Sequence, residues 1–193
     1  MLVSYIVKKD SAWEFVTSST GGLGVEFVAA EGGAIYLKDP AGTQHVYRYG
    51  AAGAGLSAGL KIPKFGKINI PKVKGKSVGG VAAPAAFPNT GKIYILESFA
   101  GDELAESDFR GVCAFVEAGG GLVGGGSATA MIFGMSPLWL AAYMASVNPM
   151  FLAASPFIGS KLFSTAKGIL LTAGLNVGVQ AGGGIAAFIG GIY

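Results

Sequence analysis

The sequence predicts an α+β chain, mostly antiparallel β-strands including glycine-rich ones, with a helical excursion around 137–166. Three observations carry that expectation. Residues 1–49 hold short runs of β-branched and aromatic side chains, separated by glycine pairs. The stretch from Leu175 to Ile189 alternates apolar odd positions with even ones that are small or polar up to Ala186 and end in Phe188, as a strand with one apolar face would. SPLWLAAYMASV, from Ser136 onward, has a Ser-Pro helix start followed by continuous apolar helix-forming residues.

Within 1–49, strands are expected at Leu2–Val7, Trp13–Val16, Val25–Ala29 and Ala34–Leu37, with turns at Gly21-Gly22 and Gly32-Gly33. Asp39-Pro40-Ala41-Gly42 between Ala34–Leu37 and His45–Tyr49 predicts a hairpin, with proline at the turn entry and glycine at its exit. Residues 50–135 form a glycine-rich and basic middle. Six of the fourteen Lys and Arg fall in 61–76: Lys61, Lys64, Lys67, Lys72, Lys74 and Lys76. Pro63 and Pro71 make that segment extended or looped. It is a solvated edge that resists strand aggregation, a contact for anionic lipid heads, or a contact for a carrier protein. Lys92–Leu96 reads as a strand. Asp102–Asp108 reads as a solvated acidic turn. In the apolar part 137–193, Asn148-Pro149 and Ser155-Pro156 should divide the excursion into two or three short helices.

The last stretch, Gly168–Tyr193, carries no charge. Gly174, Gly178, Gly182, Ala186 and Gly190 recur every fourth position, and Thr172, Asn176 and Gln180 recur likewise, two residues out of step. On a helix these would be opposite stripes, one for close packing and one lining water. Such a helix would be about 39 Å long, enough for a bilayer core of about 30 Å. A period of four also fits a strand, and eight glycines would cost a helix about 8 kcal/mol relative to alanine. In a water-soluble form a buried glycine-rich strand is therefore expected. In a membrane, a zipper helix or a barrel strand would satisfy the backbone. The glycine-rich segments near 50–60, 111–135 and 168–193 should bury one another.

The chain is 51% hydrophobic and only 13% charged, with 33 glycines, and 193 residues suit a single domain. A net charge of +3 gives no case for nucleic acid. The lone Cys113 excludes an internal disulfide and reads as an inert buried thiol. MLVSYIVKKD has neither the basic nor the long apolar region of a secretory signal. Gly53-Ala54-Gly55 lacks the third glycine and the following acid of a dinucleotide loop. Gly75-Lys76-Ser77 lacks the earlier glycine of a phosphate loop, since Ile70 stands there. Thr129 spoils a nucleophile elbow at Gly126-Ser127-Ala128. His45 is the only histidine and reads as structural. No catalytic set and no metal or cofactor site assembles, so an enzyme is not expected.

The C-terminal zipper, the glycine patches, the economy of charge and the small size resemble the pore-forming antibacterial effectors of the type VI secretion system. The resemblance implies a secreted toxin, carried by the tube protein of the apparatus, that acts at the membrane of a target cell. It also implies a cognate immunity protein and self-oligomerisation. The function expected is a membrane-active toxin that conducts ions. Gly174, Gly178, Gly182 and Gly190 would be its packing stripe, and Thr172, Asn176 and Gln180 its pore lining. The alternative is a soluble binding or structural protein with a glycine-rich β core.

Overall fold

A computed structural model describes residues 4–5, 7–25, 28–55, 64–65, 90–119, 125–146, 155–176 and 184–193. In chain order the strands are β1 (Ser4–Tyr5), β2 (Val7–Asp10), β3 (Glu14–Val25), β4 (Val28–Lys38), β5 (Gln44–Gly55), β6 (Lys64–Phe65) and β7 (Thr90–Leu96). A 3-10 turn at Glu106–Asp108 leads to β8 (Gly111–Gly119) and β9 (Gly125–Met135). Helices α1 (Pro137–Ser146) and α2 (Ser155–Ser164) precede β10 (Gly168–Asn176) and β11 (Gly184–Ile192). Among the described residues nine strands form one antiparallel sheet, in the order β2-β7-β10-β9-β8-β11-β5-β4-β3. The pieces β1 and β6 pair separately, in parallel.

The sheet curls until β3 packs against β7. The ring of Phe15 lies over Gly91, where a side chain would collide with it. The enclosed face is filled by one core that includes Trp13, Tyr47, Tyr49, Phe109, Phe115 and Phe133. Phe133 stacks on Phe109 with centroids 4.8 Å apart, and Trp13 lies 4.7 Å from Phe109. The Trp13 indole N–H donates to the Leu104 carbonyl at 2.7 Å, so its one polar atom is satisfied inside. The outer face of β7, β10, β9 and β8 carries a second core, with Leu96, Val112, Ile132 and Ile169, under Leu162 and Phe163 of α2 and Trp139 and Leu140 of α1. Alternation along the strands explains both cores. In β10, Leu170 enters the first, while Ile169 and Leu171 enter the second.

Several expectations are met. The 39–42 hairpin joins β4 to β5, with Gly42 at φ +92°, the left-handed conformation that suits glycine. The Thr43 N–H donates to the Asp39 carboxylate at 2.8 Å. Among the described residues the helical excursion holds the short helices α1 and α2, and Ser155-Pro156 opens α2.

Other expectations are corrected. Gly21-Gly22 and Gly32-Gly33 are not turns: Gly21 pairs Gly32 and Thr20 pairs Gly33 across a long ladder. Cross-strand pairing there satisfies the backbone that a turn would have exposed. Val25–Ala29 is not one strand, because β3 ends at Val25 and β4 begins at Val28. The acidic segment is not simply solvated. Asp108 is buried and accepts a 2.7 Å bond from the Lys167 ammonium.

Candidate functional site

The described part of the last stretch is divided between two strands that are not neighbours in the sheet. Strand β10 lies between β7 and β9, and β11 between β8 and β5. The glycine-rich segments around 50–55, 111–119, 125–135 and 168–192 thereby become consecutive ladders: β5 with β11, β11 with β8, β8 with β9, and β9 with β10.

A cross-strand row marks where the sequence of the enclosed face changes. Gly91 pairs Thr172, which pairs Thr129, which pairs Glu117, which pairs Ala186, which pairs Gly55. Two positions nearer the helices, in the same phase, stand the buried Leu170, Met131 and Phe115. Thr172 and Thr129 are partly exposed. Two positions further out, Gly174 pairs Ser127, Ser127 pairs Gly119, and Gly119 pairs Gly184. Asn176, the end of β10, pairs Gly125. Along this phase, large apolar residues therefore give way to hydroxyls and then to glycine.

The predicted site residues fall as follows. Thr172, Gly174 and Asn176 occupy alternate positions of β10 and share one phase. That is the strand alternative of the two readings of this stretch, in which the glycines and the polar residues share a phase because a strand repeats every two residues; the opposite stripes belong to a helix, which repeats every 3.6. Gly190 lies on β11, opposite Ala51 and Cys113, so it does not continue the stripe of Gly174 along one element. A Cβ at Gly190 would collide with the Gly50 carbonyl and Ala51, so close strand contact requires glycine there. Gln180, Gly178 and Gly182 lie outside the described residues, as do Lys61, Lys67, Lys72, Lys74 and Lys76. Lys64 is in β6, paired with Ser4 of β1.

The sheet end near the helices carries a polar cluster that spacing did not reveal. His45 has Nε2 3.0 Å from Asp39 and Nδ1 3.7 Å from Glu106, while Arg110 donates to Glu106 at 2.8 Å. The hydrogen bond to His45 holds the Asp39 carboxyl below its usual range, and the Arg110 bond does the same for Glu106. Burial would raise Glu103, but bonds from the Ser11 hydroxyl and the Ala12 and Leu104 N–H groups outweigh it and lower its pKa. These contacts join the β4–β5 turn and the start of β3 to residues 103–110. The sequence separation of about sixty to ninety residues hides them from pattern reading. Among the described residues no group of three or more His, Cys, Asp and Glu could hold a metal. Among them, too, no helix is long and apolar enough to cross a membrane.

No protein-family model and no solved structure matches the chain. A relative does match, and it places this antiparallel β protein in a family of toxins. That relative is the toxin protein Tse4 of Pseudomonas aeruginosa, 44% identical over 185 residues, which are 95% of this chain and 94% of the relative. The chain belongs to the Tse4 family.

Proposed function

We propose that this protein is an antibacterial effector of the type VI secretion system that enters a target-cell membrane, oligomerises and conducts ions. The observation that carries the reading is the change along the enclosed face from Phe133 and Met131 to Thr129, and from Leu170 to Thr172, with Gly174 and Asn176 at the following alternate positions of β10. Hydroxyls and amides within an otherwise apolar span are costly unless they meet water or a partner. A closed antiparallel barrel is one of the two backbone arrangements a bilayer tolerates, and the curled sheet, whose edge strands β2 and β3 do not pair with each other among the described residues, would have to close those edges to reach it. Relationship to a protein named a toxin supports the same reading. In it, Thr172, Asn176 and Gln180 line the path, and Gly174, Gly178, Gly182 and Gly190 allow close packing. The aromatic core at the helix end fills the curled sheet, so this form is the stored one and conduction requires rearrangement. The secretion tube protein is the carrier, and an immunity protein guards the producer.

The test is conductance across planar bilayers and ion release from vesicles, with Gly178→Leu beside the wild type. Wild-type currents that Gly178→Leu abolishes at equal protein would support the reading. A wild type that binds vesicles yet passes no ions would overturn the pore, and one that does neither would return the chain to the soluble or structural class.

A further inference from the structure

Helix α1 turns Trp139, Leu140 and Tyr143 toward the sheet, and Tyr143 rests on Gly159 of α2. The side away from the sheet should then be polar, as in an ordinary surface helix. It is not. The exposed positions of α1 are Pro137, Leu138, Ala141, Met144 and Ala145, and the helix carries no charge. Leu138 is 76% exposed, Met144 59% and Phe157 of α2 63%. The charged side chain on the described part of the pair is Lys161, whose ammonium lies 5.9 Å over the Phe157 ring.

We propose that this outer face of α1 and α2 is where the folded protein docks on a phospholipid bilayer, before any rearrangement. The inference rests on the membrane-acting reading and adds the surface of first contact. Three observations favour lipid as the occupant. The exposed face of α1 offers no side-chain hydrogen-bonding group, whereas a protein interface has a polar rim; hydrocarbon needs none. The one cation complements anionic headgroups and sits beside the exposed ring, the pairing of charge and apolar surface seen in interfacial helices. Each helix has ten residues, about 15 Å, so it can lie in the interface but cannot span. Leu138, Met144 and Phe157 would enter the acyl boundary, with Lys161 at headgroup level.

The experiment is co-sedimentation of the full chain with vesicles of pure phosphatidylcholine, and of phosphatidylcholine with phosphatidylglycerol. The combined variant Leu138→Gln, Met144→Gln, Phe157→Gln should bind both vesicles at least about tenfold more weakly. Leu138→Gln alone should lose about threefold or more, which keeps the test open should the triple variant unfold. Lys161→Gln should lose about fivefold on the anionic vesicles and little on the neutral ones. Val16→Gln with Val46→Gln, at exposed valines on β3 and β5, should bind as the wild type does. Ion release per bound molecule is read in parallel. Weaker binding with unchanged release per bound molecule supports docking by this face. Binding that ignores the triple change overturns the docking surface, and if ions still flow the pore reading stands. A wild type that binds through this face without releasing ions overturns the pore and leaves the docking. A triple variant that changes only the molecular mass in solution makes the face a seam between copies, and the lipid proposal falls.

Discussion

Phe133 and Thr129 lie four residues apart on β9, in the same phase, and their surroundings have little in common. Phe133 is fully buried, stacked on Phe109 and opposite Gly168. Thr129 is partly exposed, between Thr172 and Glu117. One strand therefore crosses from a packed aromatic interior into a zone of hydroxyls and glycines. Aromatic contacts fix one arrangement because each ring fills a shape. Glycine ladders hold by backbone pairing alone, and glycine commits weakly to any conformation. The helix end is thus suited to stability and the other end to change.

The sharpest way to break this contrast is Phe133→Ala. Losing that ring should cost about 3–5 kcal/mol, read as a lower urea midpoint with an unchanged slope. A loss below about 1 kcal/mol would show that the aromatic core does not dominate. Lys167→Met comes next. It leaves the buried Asp108 carboxylate without its ammonium partner, and a loss of about 1–3 kcal/mol is expected from the same denaturation curves. An unchanged midpoint would make the pair incidental.

Acid should act on the helix end as well. Asp39, Glu103 and Glu106 have lowered folded pKa values. Their stabilisation is therefore complete above the ordinary carboxylate value of about 4, and it is lost as pH falls through the lower folded values. Unfolding midpoints should hold through neutral pH and drop below about pH 4. Glu103→Gln should flatten that drop; an equally steep fall would point to other groups. The smallest expected stability effect is at the row of hydroxyls. Thr172→Val should shift stability by about 0.5 kcal/mol or less while changing single-channel conductance. A large stability loss with unaltered currents would move Thr172 from the path into the core.

Much of this contrast was legible. The Asp39–Gly42 hairpin, the two helices and the strand at Lys92–Leu96 follow from local turn chemistry, helix starts and β-rich composition. The division of Gly168–Tyr193 into two separated strands did not follow, since a four-residue period fits helix and strand equally. The glycine pairs at Gly21 and Gly32 misled for a related reason. Turn propensity is local, and their pairing is set by strands that the local sequence does not specify. Trp13 to Leu104, and Lys167 to Asp108, join residues brought together only by the curl of the sheet.

The position of β11 has a consequence for how the molecule assembles. Strands β3, β4 and β5 form a meander from neighbouring sequence, and β8 and β9 pair through a short connection. Two partial sheets can therefore exist early, each with a bare edge. Among the described strands β11 bridges them, with Ile192 opposite Tyr49 on one side and Gly111 on the other. Both partners are remote in sequence, so this step carries the larger loop-closure cost and should limit the folding rate. Until it happens, the edges of β5 and β8 stand open to foreign strands. During synthesis the protein is most vulnerable to aggregation in the interval before β11 has emerged.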